Sequence, residues 1–123
     1  MMTNPDKYDA VLETIADNLT GFIGASVVDM ETGMALATRS RRPDFDLDVA
    51  SAYNSEMVKA KLNTMRVLNI HSGLEDMLLT LGDQLHLIKL LSGGTFIYVA
   101  VDKAGSNLAL LRSIVVRETT ALA

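Results

Sequence analysis

The segment from Phe45 to Ile70 is the feature that most constrains what this chain can fold into. It contains no glycine or proline, and its apolar residues recur at helical spacing. At about 100° per residue they form two stripes on nearly opposite sides of a helix. One stripe comprises Leu47, Ala50, Met57, Val58, Leu62, Met65 and Leu68, and the other comprises Val49, Ala52, Tyr53, Ala60, Val67 and Ile70. A helix that rests on a sheet buries one face, so the second stripe predicts contact with another surface, most simply a second copy of the chain.

Five segments have the composition of β-strands. Phe22–Val28 and Thr95–Asp102 are apolar on both faces, which is typical of strands in the middle of a sheet, and Gln84–Leu91 is nearly so. Leu74–Leu81 contains acidic residues near its start, and the residues from Met34 to Arg39 form a shorter segment. These last two are predicted to be edge strands, where acidic residues discourage indiscriminate pairing but do not prevent one specific pairing.

Helices are predicted at both ends of the chain. Asn4 can cap a first helix that begins at Pro5 and ends before Gly21, and Ser106 or Asn107 can cap a final one. The predicted order is αββαβββα. This is an α/β (α+β) chain that forms a single domain over residues 1–123, with a five-stranded antiparallel sheet sandwiched between helices and the second and third strands at its edges.

Composition excludes several classes of function. The net charge is -4, which argues against a protein that binds nucleic acid by neutralising phosphates. The chain has no cysteine, so disulfides and thiolate chemistry are excluded. Its start lacks the features of a secretory signal, and no apolar run approaches the roughly 20 residues of a membrane span. We therefore predict a cytoplasmic protein that neither inserts into membranes nor binds nucleic acid.

The residues that could carry chemistry do not form a catalytic pattern. His71 and His86 have no evident carboxylate partner by spacing, and the chain contains neither a G-x-S-x-G nucleophile motif nor a P-loop. Asp44–Asp48 lacks the glycine and distant glutamate of a calcium loop and is better explained as a cap of the long helix. The basic loop Arg39–Asp44 is best explained as solvated. We predict no enzymatic activity, no cofactor and no metal.

Three segments together resemble the Roadblock/dynein light chain family. They are "GFIGASVVDMETGMALAT" (Gly21–Thr38), the hairpin "MLLTLGDQLHLIKLL" (Met77–Leu91) and "IYVAVDKAGSNLALLR" (Ile97–Arg112). Each motif is weak by itself, but their order and spacing extend the resemblance over nearly the whole chain. The resemblance implies the profilin-like layering of that fold.

The resemblance also implies a homodimer in which third strands pair across a two-fold axis and the long helices lie side by side. Family members, including bacterial gliding-polarity proteins, act as regulators or platforms for small Ras-like GTPases rather than as enzymes. We therefore predict a non-catalytic homodimeric module that binds a small GTPase. The predicted dimer interface comprises Val49, Tyr53, Ala60, Val67, Met77 and Leu79.

Alternatives remain open at this stage. The opposite stripe of the long helix could form the interface, and the partner could be a different chain. The protein could be a structural or adaptor subunit of a larger complex without a GTPase. A third possibility is a small-molecule sensor, with Ser26, Tyr98 and His86 as the polar groups of its pocket.

Overall fold

The computed structural model describes residues 5–122. Within this range the chain forms three α-helices and five β-strands in the predicted order. The helices are α1 (Pro5–Asn18), α2 (Leu47–Val67) and α3 (Leu108–Thr119), and the strands are β1 (Phe22–Asp29), β2 (Ala35–Ser40), β3 (Asp76–Thr80), β4 (Gln84–Leu90) and β5 (Thr95–Asp102). Asn4, the predicted cap of α1, lies outside the described residues.

The strands form one antiparallel sheet in the order β2-β1-β5-β4-β3. The central position of β1 and β5 and the edge positions of β2 and β3 are therefore confirmed. Side chains of β5 alternate between two apolar clusters: Ile97 and Val99 join the cluster that includes α1 and α3, whereas Phe96 and Tyr98 join the cluster that includes α2. The sheet is thus covered by helices on both faces, as predicted.

Polar caps begin both of the later helices. The Asp46 carboxylate accepts hydrogen bonds from the backbone N–H groups of Asp48 and Val49, both at 3.1 Å. Asn107, the second of the two candidates, caps α3 by accepting a backbone N–H at 2.8 Å. Each cap satisfies donors that have no partner within the helix. The acidic residues of Asp44–Asp48 therefore supply a helix cap, as the sequence indicated.

The boundaries that differ from the sequence prediction include the end of α2 and the start of β3. α2 ends at Val67, about one turn early, because Asn69 takes a positive φ of 59°, which an asparagine tolerates. Leu68 then leaves the buried stripe to which the sequence assigned it and is 63% exposed. β3 is shorter than the predicted Leu74–Leu81 because its pairing with β4 begins only at Asp76.

Small residues let α2 approach the β1–β2 hairpin closely. Ser26 and Ser51 are fully buried, with their Oγ atoms 3.0 Å apart, and Ser51 donates to the carbonyl of Leu47 at 2.6 Å. The single hydroxyl proton of Ser51 is used in that bond, so Ser26 is the donor between the two serines. Gly33 in the hairpin turn has a φ of +77°, and a Cβ there would lie 3.4 Å from the Cα of Ala52. These contacts hold α2 against β1 and β2.

Replacing Gly33 by alanine tests the need for glycine in this turn. We expect the free energy of unfolding to fall by about 1–2 kcal/mol, because an L-residue is strained at positive φ. The matched control is Gly82→Ala, where a Cβ meets no atom within 4 Å. It should change the free energy by less than about 0.5 kcal/mol in urea denaturation. Equal losses in the two variants would contradict this account of the hairpin.

Candidate self-association surface

Within residues 5–122, β3 is an edge strand whose backbone is open on the side away from β4. The N–H of Leu90 donates to the carbonyl of Glu75 at 3.0 Å, and the N–H of Leu81 donates to the carbonyl of Gln84 at 2.8 Å. Residues of an antiparallel strand alternate in the direction of their backbone groups, so the odd-numbered residues of β3 bond to β4. The N–H and C=O groups of the even-numbered residues, from Asp76 to Thr80, therefore point away from the sheet.

Side chains of β3 alternate between the two faces of the sheet. Met77 and Leu79 are half-buried and pack against the cluster on the α2 side. Leu78 packs against the cluster on the α1 and α3 side. On that same face the carboxylate of Asp76 binds the guanidinium of Arg112, with Nη2 to Oδ1 at 2.6 Å and Nε to Oδ2 at 3.0 Å. The hydrogen bonds and charge attraction of this pair raise the pKa of Arg112.

The predicted interface residues of α2 lie on its solvent side. Tyr53 is 74% and Val67 is 64% exposed, and Val49 and Ala60 are also exposed. At about 100° per residue these four lie within roughly 40° of one another, opposite the buried Val58. They form an exposed stripe along most of the helix, in which Glu56 and Asn63 lie between the apolar members at similar angles. The two-faced pattern of the sequence therefore corresponds to one buried and one exposed face.

One flank of α2 connects this stripe with β3. The other flank contacts the β1–β2 hairpin, since Ala52 lies against Gly33. On the connecting flank, Ala50 and Met57 are half-buried against the same cluster as the β3 side chains on that face. Helical geometry places Tyr53 beside Met57. The stripe and this flank thus lie on the same face of the sheet as Met77 and Leu79, around the α2-side cluster.

Several members of this surface were missed in the sequence. Ala50 and Met57 had been assigned to the buried stripe, although half-burial in a single copy suits residues that a second copy could cover. Leu78 was missed because its outward-facing backbone groups follow from the register of β3 with β4, which composition does not reveal. Arg112 was missed because its partner Asp76 is 36 residues away in the chain.

Three polar side chains form a series of hydrogen bonds on the α2 side of the sheet. The Oη of Tyr98 is 3.1 Å from Nδ1 of His86, whose Nε2 is 2.7 Å from Oε1 of Gln84. Burial raises the pKa of Tyr98 to about 12. It also lowers the pKa of His86, and the opposing attraction of Asp83 is smaller. With both ring nitrogens bonded and burial disfavouring its charge, His86 has a structural explanation.

The three polar groups of the sensor alternative make bonds within the fold. Ser26 is bonded to Ser51, and Tyr98 to His86. Within the described part of the chain, no three histidine or acidic side chains are placed to hold a metal ion. The helices between residues 5 and 122 also include none that is long and apolar enough to cross a membrane.

No protein-family pattern and no curated protein sequence matches the chain. Solved structures do match it over almost its whole length. Myxococcus xanthus MglB superposes with a TM-score of 0.87 at 13% identity, covering 99% of this chain and 90% of that one. A structure of MglB with tetrameric arrangement has a TM-score of 0.84 at 17% identity, covering 100% and 90%. The Roadblock/LC7 domain from Streptomyces avermitilis has a TM-score of 0.81 at 13% identity, covering 93% and 92%.

The chain therefore has the Roadblock fold, in which one five-stranded antiparallel sheet lies between helices. MglB, in two separate structures, has the same fold over almost the whole of this chain. At these identities the likeness is one of fold, and it confirms the fold that the three sequence motifs implied.

Proposed function

We propose that this chain is a non-catalytic homodimeric module that regulates, or serves as a platform for, a small Ras-like GTPase in the cytoplasm. The observation that carries the proposal is the open edge of β3. This edge presents both outward-facing backbone groups and half-buried apolar side chains, in a fold shared with MglB. An MglB structure with tetrameric arrangement supports self-association as a property available to the fold.

The edge of β3 fits a second copy of itself. A two-fold axis at Leu78 would place Asp76 of each copy opposite Thr80 of the other, and Leu78 opposite Leu78. These residues carry the outward backbone groups, so about six hydrogen bonds would join the two strands into one ten-stranded sheet. On the α2 side, Met77 of each copy would then face Leu79 of the other. The pairing satisfies the open backbone groups and covers apolar side chains in one step.

The exposed stripe of α2 completes the proposed interface. Both α2 helices would lie on the same face of the joined sheet, on either side of the axis. Tyr53, Ala60 and Val67 would approach the second helix, with Val49 farther along the same stripe. Ala60 matters most because a small side chain allows two helices to come close. The flank that carries Met57 would be buried as the helices meet.

The GTPase part of the proposal rests on the Roadblock fold and on the family resemblance. The chain has no P-loop, so any nucleotide would be held by the partner and not by this protein. A regulator of this kind acts by binding one nucleotide state of its partner more tightly than the other. A dimer would offer the partner one continuous surface made from two copies of the same helix.

Binding to a nucleotide-loaded partner tests the functional proposal. The purified protein would be used to capture partners from extracts of its source cell to which either a GTP analogue or GDP has been added. A GTPase captured in this way would then be purified. We expect at least tenfold tighter binding to one nucleotide state, measured by calorimetry with both purified proteins. Equal binding to both states would favour a platform over a regulator, and capture of non-nucleotide partners alone would favour a structural subunit of a larger complex without a GTPase.

A further inference from the structure

The start of β3 carries a charge that opposes strand pairing. Glu75 and Asp76 are consecutive acidic residues at an open sheet edge, an arrangement that normally keeps other strands away. Any copy that pairs with β3 must bring its own strand beside this charge. A specific pairing therefore needs something that offsets the charge.

Arg112 of α3 supplies the positive charge that offsets Asp76. Its Nη2 and Nε atoms bind the two carboxylate oxygens of Asp76 at 2.6 and 3.0 Å, which is the bidentate geometry of a strong arginine–carboxylate pair. The Asp76 side chain is only 13% exposed, whereas that of Arg112 is 51% exposed. The carboxylate is thus covered and neutralised. The two parallel hydrogen bonds from the guanidinium, referred to below as the fork, fix the direction in which the Asp76 side chain points.

The position of Asp76 makes this pair relevant to the open edge. Its side chain points to the α3 face, while its N–H and C=O point outward from the sheet. The fork therefore holds the residue whose backbone would form the end hydrogen bonds with Thr80 of a second copy. An edge strand as short as Asp76–Thr80 has few other restraints, because β4 is its only partner strand within residues 5–122.

We propose that Arg112 is a positioning residue for self-association: it neutralises Asp76 and holds the first residue of β3 in the geometry that pairs with a second copy. This inference rests on the proposed homodimer and assigns a positioning role to a residue of α3 that contributes no backbone group to the paired edge. The pair forms within each chain, so the start of β3 is already neutralised in both copies when two identical edges meet.

The first variant is Arg112→Gln. We expect its dimer dissociation constant, measured by analytical ultracentrifugation at low salt, to rise about 10- to 100-fold, because each of the two symmetric sites would leave one carboxylate uncompensated. The matched control is Arg117→Gln. It removes the same charge from the same helix, but its partner is the adjacent Glu118 at 2.8 Å. The control should leave the dissociation constant within about twofold.

A second substitution separates positioning from simple stabilisation. Adding Asp76→Asn to Arg112→Gln removes the uncompensated charge but does not restore the bidentate contact, so we expect part of the lost affinity to return. Arg112→Lys keeps the charge but not the fork and should fall between the wild type and Arg112→Gln. A salt bridge that merely stabilised the protomer would instead lower the urea midpoint of a monomeric variant and show no rescue by Asp76→Asn.

The outcomes separate this inference from the proposed function. A wild-type protein that is monomeric at all concentrations would overturn both. A wild-type dimer whose dissociation constant is the same in the Arg112→Gln and Arg117→Gln variants would overturn the role of Arg112 and leave the homodimer standing. Weakened association without rescue by Asp76→Asn would also overturn it.

Discussion

Replacement of Thr80 by proline is expected to convert the protein from a dimer to a monomer. The N–H of Thr80 points away from β4, so its removal costs no hydrogen bond within the sheet. In the proposed dimer that N–H donates to Asp76 of the second copy, and the proline ring would occupy the space of the partner strand. The change acts at two symmetric positions. We expect the dissociation constant to rise at least about 100-fold.

The opposite edge of the sheet offers a matched control. The N–H of Arg41 donates to the carbonyl of Ile23, so the odd-numbered positions at this end of β2 bond to β1 and Thr38 faces outward. Thr38 and Thr80 are both exposed threonines on edge strands with outward N–H groups. Thr38→Pro should leave the dimer intact by multi-angle light scattering. Two dimeric variants would show that β3 is not the interface, and two monomeric ones would show a general effect of proline.

Replacement of Ala60 by arginine is expected to give a monomer as well. Ala60 is exposed in a single copy, so the larger side chain meets no clash within the protomer. Between two α2 helices it would prevent close approach and would bring two like charges together near the axis. We expect association to weaken at least about 100-fold while the far-ultraviolet circular dichroism spectrum is unchanged.

Ala10→Arg is the control for this change, since Ala10 is also exposed within a helix but lies on α1. A dimer that survives Ala60→Arg would refute the assignment of the exposed stripe. In that event Met57→Arg decides the remaining question. A monomeric Met57→Arg variant would place the interface on the flank of α2, which corresponds to the alternative stripe of the sequence.

Much of the fold could be predicted because its local patterns agree with one another. Strands apolar on both faces identified β1 and β5 as central, and the acidic start of β3 identified an edge. The failures come from features that local patterns do not contain. Leu68 was expected to be buried because its helical spacing places it on the buried stripe of α2. The helix ends at Val67, however, and Asn69 takes a left-handed conformation, so Leu68 is exposed.

The candidate surface was harder to predict than the fold. The exposed stripe with Tyr53 and Ala60 could be found because an apolar face without a partner in so short a chain is conspicuous. Leu78 could not be found, because which residues of a strand turn their backbone outward depends on its register with the next strand. The Arg112–Asp76 pair depends on how α3 crosses the sheet, which no short-range spacing encodes.

The placement of the outward-facing residues evenly about Leu78 has a consequence for how such a protein would change over evolutionary time. In a symmetric interface every substitution is made twice, so a change worth about 1.4 kcal/mol at one site alters the dissociation constant about 100-fold rather than tenfold. A single codon change could therefore separate two copies of this chain after gene duplication, or let one copy prefer a diverged sister.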